Sequence, residues 1–381
     1  MKNIYFVIII SVISVIYLLL NAYVYHRANV ALPNKMARNT FTVLFWLCSV
    51  SFLIGQFLER TPWVNLTTVI SGIGSVWLAL FFYALLFVLV IDIFALLHRL
   101  TSLLPVSFLE IATPFRLFVV VAVSTISLVT AGYINARYPT VNEYEVRINK
   151  QVAGKKQLTV ALATDIHMGY IIGNKRLSDL VASLNAIEAD VIIFGGDLID
   201  HNMVPVTYHN MGEILSQLQA PLGVWAVTGN HEYIGNAESA VDYLSRYGIQ
   251  FVRDTVVNVQ GIQLVGREDA QKINFTQVNR KSLETIFEQV DSKLPIIVID
   301  HQPLEQDRVV ALGADLMVSG HTHQGQLWPF KILTKLIYKI EDGLVQKGNT
   351  HLYVSPGYGT WGPPVRIGNR PEIAVFRLIF D

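Results

Sequence analysis

"SGHTHQGQ" (residues 319–326) sets His321 and His323 two positions apart between glycines, in a chain of 381 residues whose first third is almost uncharged. The stretch closes an apolar run, "ADLMVSGH" (314–321), rich in the residue types of a buried strand. Two imidazoles at this spacing can lean into one cavity, each reaching a different cation if the cations lie about 3.5–4 Å apart. What they mean depends on which other strand ends share the pattern.

Four more runs end in polar residues: "LTVALATD" (158–165), "DVIIFGGD" (190–197), "VWAVTGN" (224–230) and "PIIVIDH" (295–301). The segments 174–189 and 236–248 between them have helical periodicity, and Gly248 suits a helix C-terminus. Strand, loop and helix repeat, so roughly 240 residues from about Tyr138 predict one α/β domain of two mixed sheets with helices packed outside. Residues 250–268, with a turn at Gly261, predict an antiparallel pair.

Strand ends in open α/β sheets face a shared crevice where ligands bind. Asp165 and His167 form a DxH pair that, on an extended segment, projects to one face. Asp197 follows two glycines and is able to offer one carboxylate oxygen to each of two ions. Asn230 provides a neutral amide oxygen, His231 is a ligand or a proton donor, and His301 ends the fourth run. One strand-end Asp is equally well a helix cap, and one His is more often a surface or satisfied core residue than a ligand. Five successive strand ends supplying Asp, His, Asp, Asn, His, His and His point to metal chemistry.

Residues 1–134 hold only ten Asp, Glu, Lys or Arg. Apolar runs at 4–24, 41–57, 67–97 and 115–134 approach or exceed the roughly 20 residues that span a bilayer. Four spans are expected, the second the shortest, and the third long enough that Asp92 reaches the headgroup region beside His98 and Arg99. The first run is too long for a signal peptide and reads as a retained helix. This predicts a helical membrane domain at 1–137, a linker at 138–156 and a catalytic domain at 157–381. Lys and Arg in the short loops place the C-terminal half outside the cytoplasm when that half's own residues are left out, and tie when they are counted. The single cysteine, Cys48, excludes an internal disulfide and a thiolate cluster. A net charge of zero speaks against a nucleic-acid partner.

The order DxH, GGD, GNH, DH and GHTH resembles the calcineurin-like metallophosphoesterase superfamily from Leu158 onward. The tail "LYVSPGYGTWGPPVRIGNRPEIAVFRL" (352–378), with its GxRPEI segment, is similar to the membrane-associated bacterial branch, implying an integral protein of a bacterial cell membrane. The resemblance implies a four-layer α/β/β/α sandwich and two divalent metal ions, Mn, Fe or Zn. One would be held by Asp165, His167, Asp197 and His323, the other by Asp197, Asn230, His301 and His321. His231 would contact the phosphate and protonate the leaving group. Gln324 departs from the glycine common after the second His of GHxH, which bears on the width of a substrate pocket.

The stretch "LWPFKILTKLIYKIEDGL" (327–344) interleaves Trp328 and other apolar residues with Lys331, Lys335 and Lys339. It reads either as a core-packing helix with a lysine face or as a basic amphipathic lid on anionic headgroups, with Trp328 and Gln324 contacting substrate. The lid reading points to a lipid bilayer as partner and to a lipid-linked phosphoester or pyrophosphate substrate. The expected activity is hydrolysis of a phosphate ester or pyrophosphate. The alternative is a catalytically weak, metal-binding membrane scaffold or regulator.

Overall fold

The computed structural model describes residues 2–102, 105 and 110–381. They divide into two compact units: Met1–Tyr133 with Gly362–Val365, and Ile134–Trp361 with Arg366–Asp381.

The first unit is built on α1 (Lys2–Ala31), α2 (Lys35–Leu58), α3 (Val64–Thr101) and α4 (Pro114–Asn135). Each contains a stretch long and apolar enough to cross a membrane, of 24, 24, 38 and 22 residues. The second span, expected to be short, extends from Lys35 because Asn34 caps the helix, its side chain accepting from the Ala37 N–H at 2.9 Å. At 1.5 Å per residue the 38 residues of α3 measure about 57 Å, well beyond a hydrocarbon core of about 30 Å. Asp92 forms an ion pair with Arg27 and accepts from the Tyr23 hydroxyl, so this carboxylate is partnered.

Lipid offers no hydrophobic drive for helix association, and close approach of small residues takes its place. Gly74 of α3 lies so near α2 that an added Cβ would sit 2.5 Å from the Phe52 Cα, and one on Gly55 would meet the Ser71 hydroxyl at 2.8 Å.

The second unit contains two six-stranded sheets among the described residues. The first has the order β1 (Thr140–Ile148), β12 (Glu372–Phe380), β2 (Gln157–Ala163), β3 (Val191–Phe194), β4 (Val224–Ala226), β5 (Ile249–Phe251). The second has β10 (Gly343–Lys347), β11 (Thr350–Val354), β9 (Leu316–Ser319), β8 (Ile296–Ile299), β7 (Ile262–Gly266), β6 (Thr255–Val259). β6 and β7 form the antiparallel pair around Gly261. Residues 138–156, expected as a linker, include β1, which pairs with β12 from Thr140↔Glu372 to Ile148↔Phe380.

Strand alternation builds the layers. Val160, Leu162 and Ile193 meet Ile297, Ile299, Leu316 and Val318 between the sheets. Their neighbours Ala161, Ala163, Ile192 and Phe194 face the helix Asn174–Ala186, whose Leu177, Leu180, Val181 and Leu184 recur at helical spacing. On the far side Ile296, Val298 and Met317 pack against Leu283, Ile286 and Val309. Helices, sheet, sheet and helices make the expected four-layer α/β/β/α sandwich. Parallel β2, β3 and β4 end level, with Ala163↔Phe194↔Ala226, so the loops carrying Asp165, Asp197 and Asn230 leave one edge together.

Candidate metal centre

All eight chemically reactive positions expected from the strand ends lie at that edge. Asp165, His167 and His323 form one group, and Asp197, His301 and His321 another, with potential ligand atoms in each group within 4.8 Å of one another. His167 Nε2 is 3.1 Å from His323 Nε2, which lies 3.4 Å from Asp165 Oδ1. Asp197 stands between the groups, its Oδ2 3.0 Å from His301 Nε2 and 3.9 Å from His167 Nε2.

One oxygen of Asp197 is already engaged. Oδ1 accepts the His231 backbone N–H at 2.9 Å, which leaves Oδ2 to face both groups.

The DxH and GHxH pairs do not converge by strand alternation. β2 stops at Ala163 and β9 at Ser319, before the ligands. Asp165, His167, Asp197, His321 and His323 all have positive φ, between 46° and 69°. Left-handed backbone at residues with a Cβ is sparsely populated and costs about 1–3 kcal/mol each. Here it turns successive side chains into one crevice. The surrounding loops are packed to hold it: an added Cβ on Gly229 or Gly320 would sit 2.1 or 2.3 Å from a carboxylate oxygen of Asp197 or Asp165.

The donor set fits cations. His301 Nδ1 lies 2.9 Å from the Gly195 carbonyl, so in the neutral ring it donates there and the Nε2 lone pair faces Asp197. Two acceptors 3.0 Å apart require a positive charge between or upon them. Burial lowers the His301 pKa, but Asp197 and Asp165 outweigh it and raise it well above the imidazole range. Asn230 Oδ1 is buried with no hydrogen-bond donor, a costly state that a cation would relieve. Burial and neighbouring His301 lower His321 to about 3, and burial takes His323 well below its ordinary value, so both are neutral imidazoles as metal ligation demands.

Three further groups escaped sequence reading. Asp200 Oδ1 is 3.1 Å from His231 Nδ1 and 3.6 Å from His167 Nδ1, and the Asp200 carbonyl also contacts His231 Nδ1. Burial raises the Asp200 carboxyl, but hydrogen bonds with His167, His201 and His231 hold it well below the carboxylate range. Glu232 accepts the backbone N–H groups of Gly229, Asp197 and Ile199 at 2.7, 3.1 and 2.9 Å, stitching two ligand loops together. Arg366 is fully buried, donates to the carbonyls of Gly357 and Gly359, and brings Nη2 to 3.4 Å from His323 Nδ1. The signals were the second Asp of "GGDLID", the Glu of "GNHE" and the arginine of the tail.

The Gln324 amide bonds Asp342, and Trp328 is 55% exposed. In 327–344 only Lys331–Ile337 is helical, and Ile332, Leu333, Leu336 and Ile337 are 52–78% exposed, which overturns the core-packing reading of that helix. Tyr338 follows it and lies edge-on to His321, ring centroids 6.2 Å apart.

Residues 158–325 match the family model "Calcineurin-like phosphoesterase". The chain is 33% identical over 245 residues to an uncharacterized metallophosphoesterase of Helicobacter pylori, covering 63% of this chain and 64% of that protein's length. It is 30% identical over 259 residues to one from Campylobacter jejuni, covering 67% and 68%. It is 32% identical over 367 residues to a Danio rerio protein named "Transmembrane protein with metallophosphoesterase domain", covering 91% of this chain and 81% of that one, a match too long to be confined to the sandwich. With the ordered motifs gathered at one sheet edge and these relatives, the chain belongs to the calcineurin-like metallophosphoesterases and carries four helices long and apolar enough to cross a membrane ahead of the family's fold.

Proposed function

We propose that the protein is a membrane-anchored phosphoesterase hydrolysing a phosphate ester or pyrophosphate at a site for two divalent ions, Mn, Fe or Zn. The observation that carries this is Asp197 Oδ2, turned at once toward His301 and His167. Asp165, His167, Asp197 and His323 would hold one ion, and Asp197, Asn230, His301 and His321 the other. The all-nitrogen-and-oxygen set suits these metals without choosing among them. Two such ions supply a water acidified toward neutrality and polarisation of the phosphoryl group.

The chain's own residues do the rest. His231 is engaged at Nδ1 by Asp200, which leaves Nε2 to give a proton to the departing oxygen. Burial would lower its pKa, but the Asp200 hydrogen bond and the charge of Asp197 raise it to about 9, a direction that suits a proton donor.

The substrate we propose is lipid-linked. Support comes from the exposed apolar side chains between Trp328 and Ile337, interleaved with Lys331 and Lys335, directly after the GHTH loop. Apolar bulk with basic charge is the composition of an interfacial helix, able to rest on anionic headgroups. In detergent micelles the full chain should turn over a phosphatidate faster than p-nitrophenyl phosphate. Trp328→Ala should slow only the lipid, and Asp197→Asn should abolish both reactions. Faster turnover of the soluble ester, unaffected by Trp328→Ala, would count against the lipid. Wild-type turnover by Asp197→Asn would remove the site assignment.

A further inference from the structure

Trp361 is an exposed aromatic side chain beside the proposed proton donor. Its ring centroid is 6.2 Å from that of His231, with the planes at 76°. The indole is 59% exposed, so it adds little to the core. A single exposed tryptophan is common and by itself carries nothing. What sets this one apart is how firmly its backbone is held.

Gln326 grips it from both sides. Gln326 Oε1 accepts the Trp361 N–H and Gln326 Nε2 donates to the Trp361 carbonyl, both at 2.9 Å. Gln326 is itself buried and tied to the ligand loop, its N–H donating to the His323 carbonyl at 2.9 Å. Its backbone sits at φ 48°, ψ −51°, a strained conformation for a residue with a side chain, which persists only where surroundings enforce it. On the other flank, the N–H groups of Tyr358 and Gly359 donate to the carbonyls of Thr164 and Asp165 at 2.9 and 2.8 Å. Gly359 is pressed so close that an added Cβ would meet the Ile166 carbonyl oxygen at 2.2 Å. The indole is thus suspended between the two loops that carry Asp165 and His323.

A rigid backbone under an exposed ring is wasted on packing and suited to recognition, since little freedom is left to lose on binding. We infer that Trp361 walls a leaving-group subsite, stacking on a planar ring attached to the oxygen that His231 protonates. A flat partner is favoured because a stacked ring gains contact over its whole face, roughly 5- to 150-fold in affinity. The inference rests on the phosphoesterase reading and not on the lipid one: in a phosphatidate the lipid is itself the leaving alcohol and would take the place of the ring. Gln326 acts through Trp361 and is a positioning residue.

The test compares benzyl phosphate with n-propyl phosphate on the Mn-loaded full chain. The two alcohols leave with similar acidity, so the ratio of their kcat/KM values reports the ring rather than the chemistry. Trp361→Ala should cut the benzyl-to-propyl ratio at least fivefold, mainly through KM, while Trp361→Phe keeps most of it. Metal content per chain serves as the check on folding. An unchanged ratio in Trp361→Ala, or an equal fall for both esters, overturns the subsite. No turnover of either ester by a wild-type chain that hydrolyses phosphatidate or p-nitrophenyl phosphate overturns the subsite alone; no turnover of any of the four overturns the phosphoesterase reading, and the subsite with it.

Discussion

Asp197 turns its two oxygens to different neighbours: Oδ1 accepts from the His231 backbone N–H and Oδ2 faces the two histidine groups. Residues of this kind were legible in the sequence because each stands at the end of an apolar run, where the chain itself marks the position. Asp200, Glu232 and Arg366 were not, because their partners lie on other loops: Glu232 accepts from Asp197, 35 residues away. Three buried N–H groups depend on that one carboxylate. Glu232→Ala should leave them unpaired at about 1–3 kcal/mol per donor, which thermal unfolding of the full chain in detergent would register as a several-degree fall in Tm, partly restored in Glu232→Gln. An unchanged Tm would mean water replaces the carboxylate without loss.

Among the elements, the strands and helices of the sandwich followed from periodicity, since buried alternation and helical stripes are local patterns. The turns between them did not. Positive φ at Asp165, His167, His321 and His323 is enforced by packing against neighbouring loops; Asp and His tolerate it better than most residues with a side chain, but the types alone do not say which of them adopt it. β1 was hidden for a related reason: "TVNEYEVRI" lies at a sheet edge, alternating exposed and half-buried residues until Val146, and only pairing with β12 makes it a strand. In the segment after the GHTH loop the sequence left two readings open, and exposure of its apolar face removed one.

For the whole molecule, four apolar helices and a metallophosphoesterase sandwich account for the uneven charge distribution along the chain. We propose that it resides in a bacterial cell membrane with the sandwich outside the cytoplasm, on the balance of Lys and Arg in the short loops. A β-lactamase reporter fused after Asp381 should then protect cells from ampicillin, and protection absent despite expression would place the active site on the cytoplasmic side. The central claim, however, is that one aspartate joins two ions. Electron paramagnetic resonance of the Mn-reconstituted protein measures it most directly: two ions per chain with an exchange-coupled signal are expected for the wild type, lost in Asp197→Asn. One ion per chain with an uncoupled six-line signal in the wild type would contradict the account.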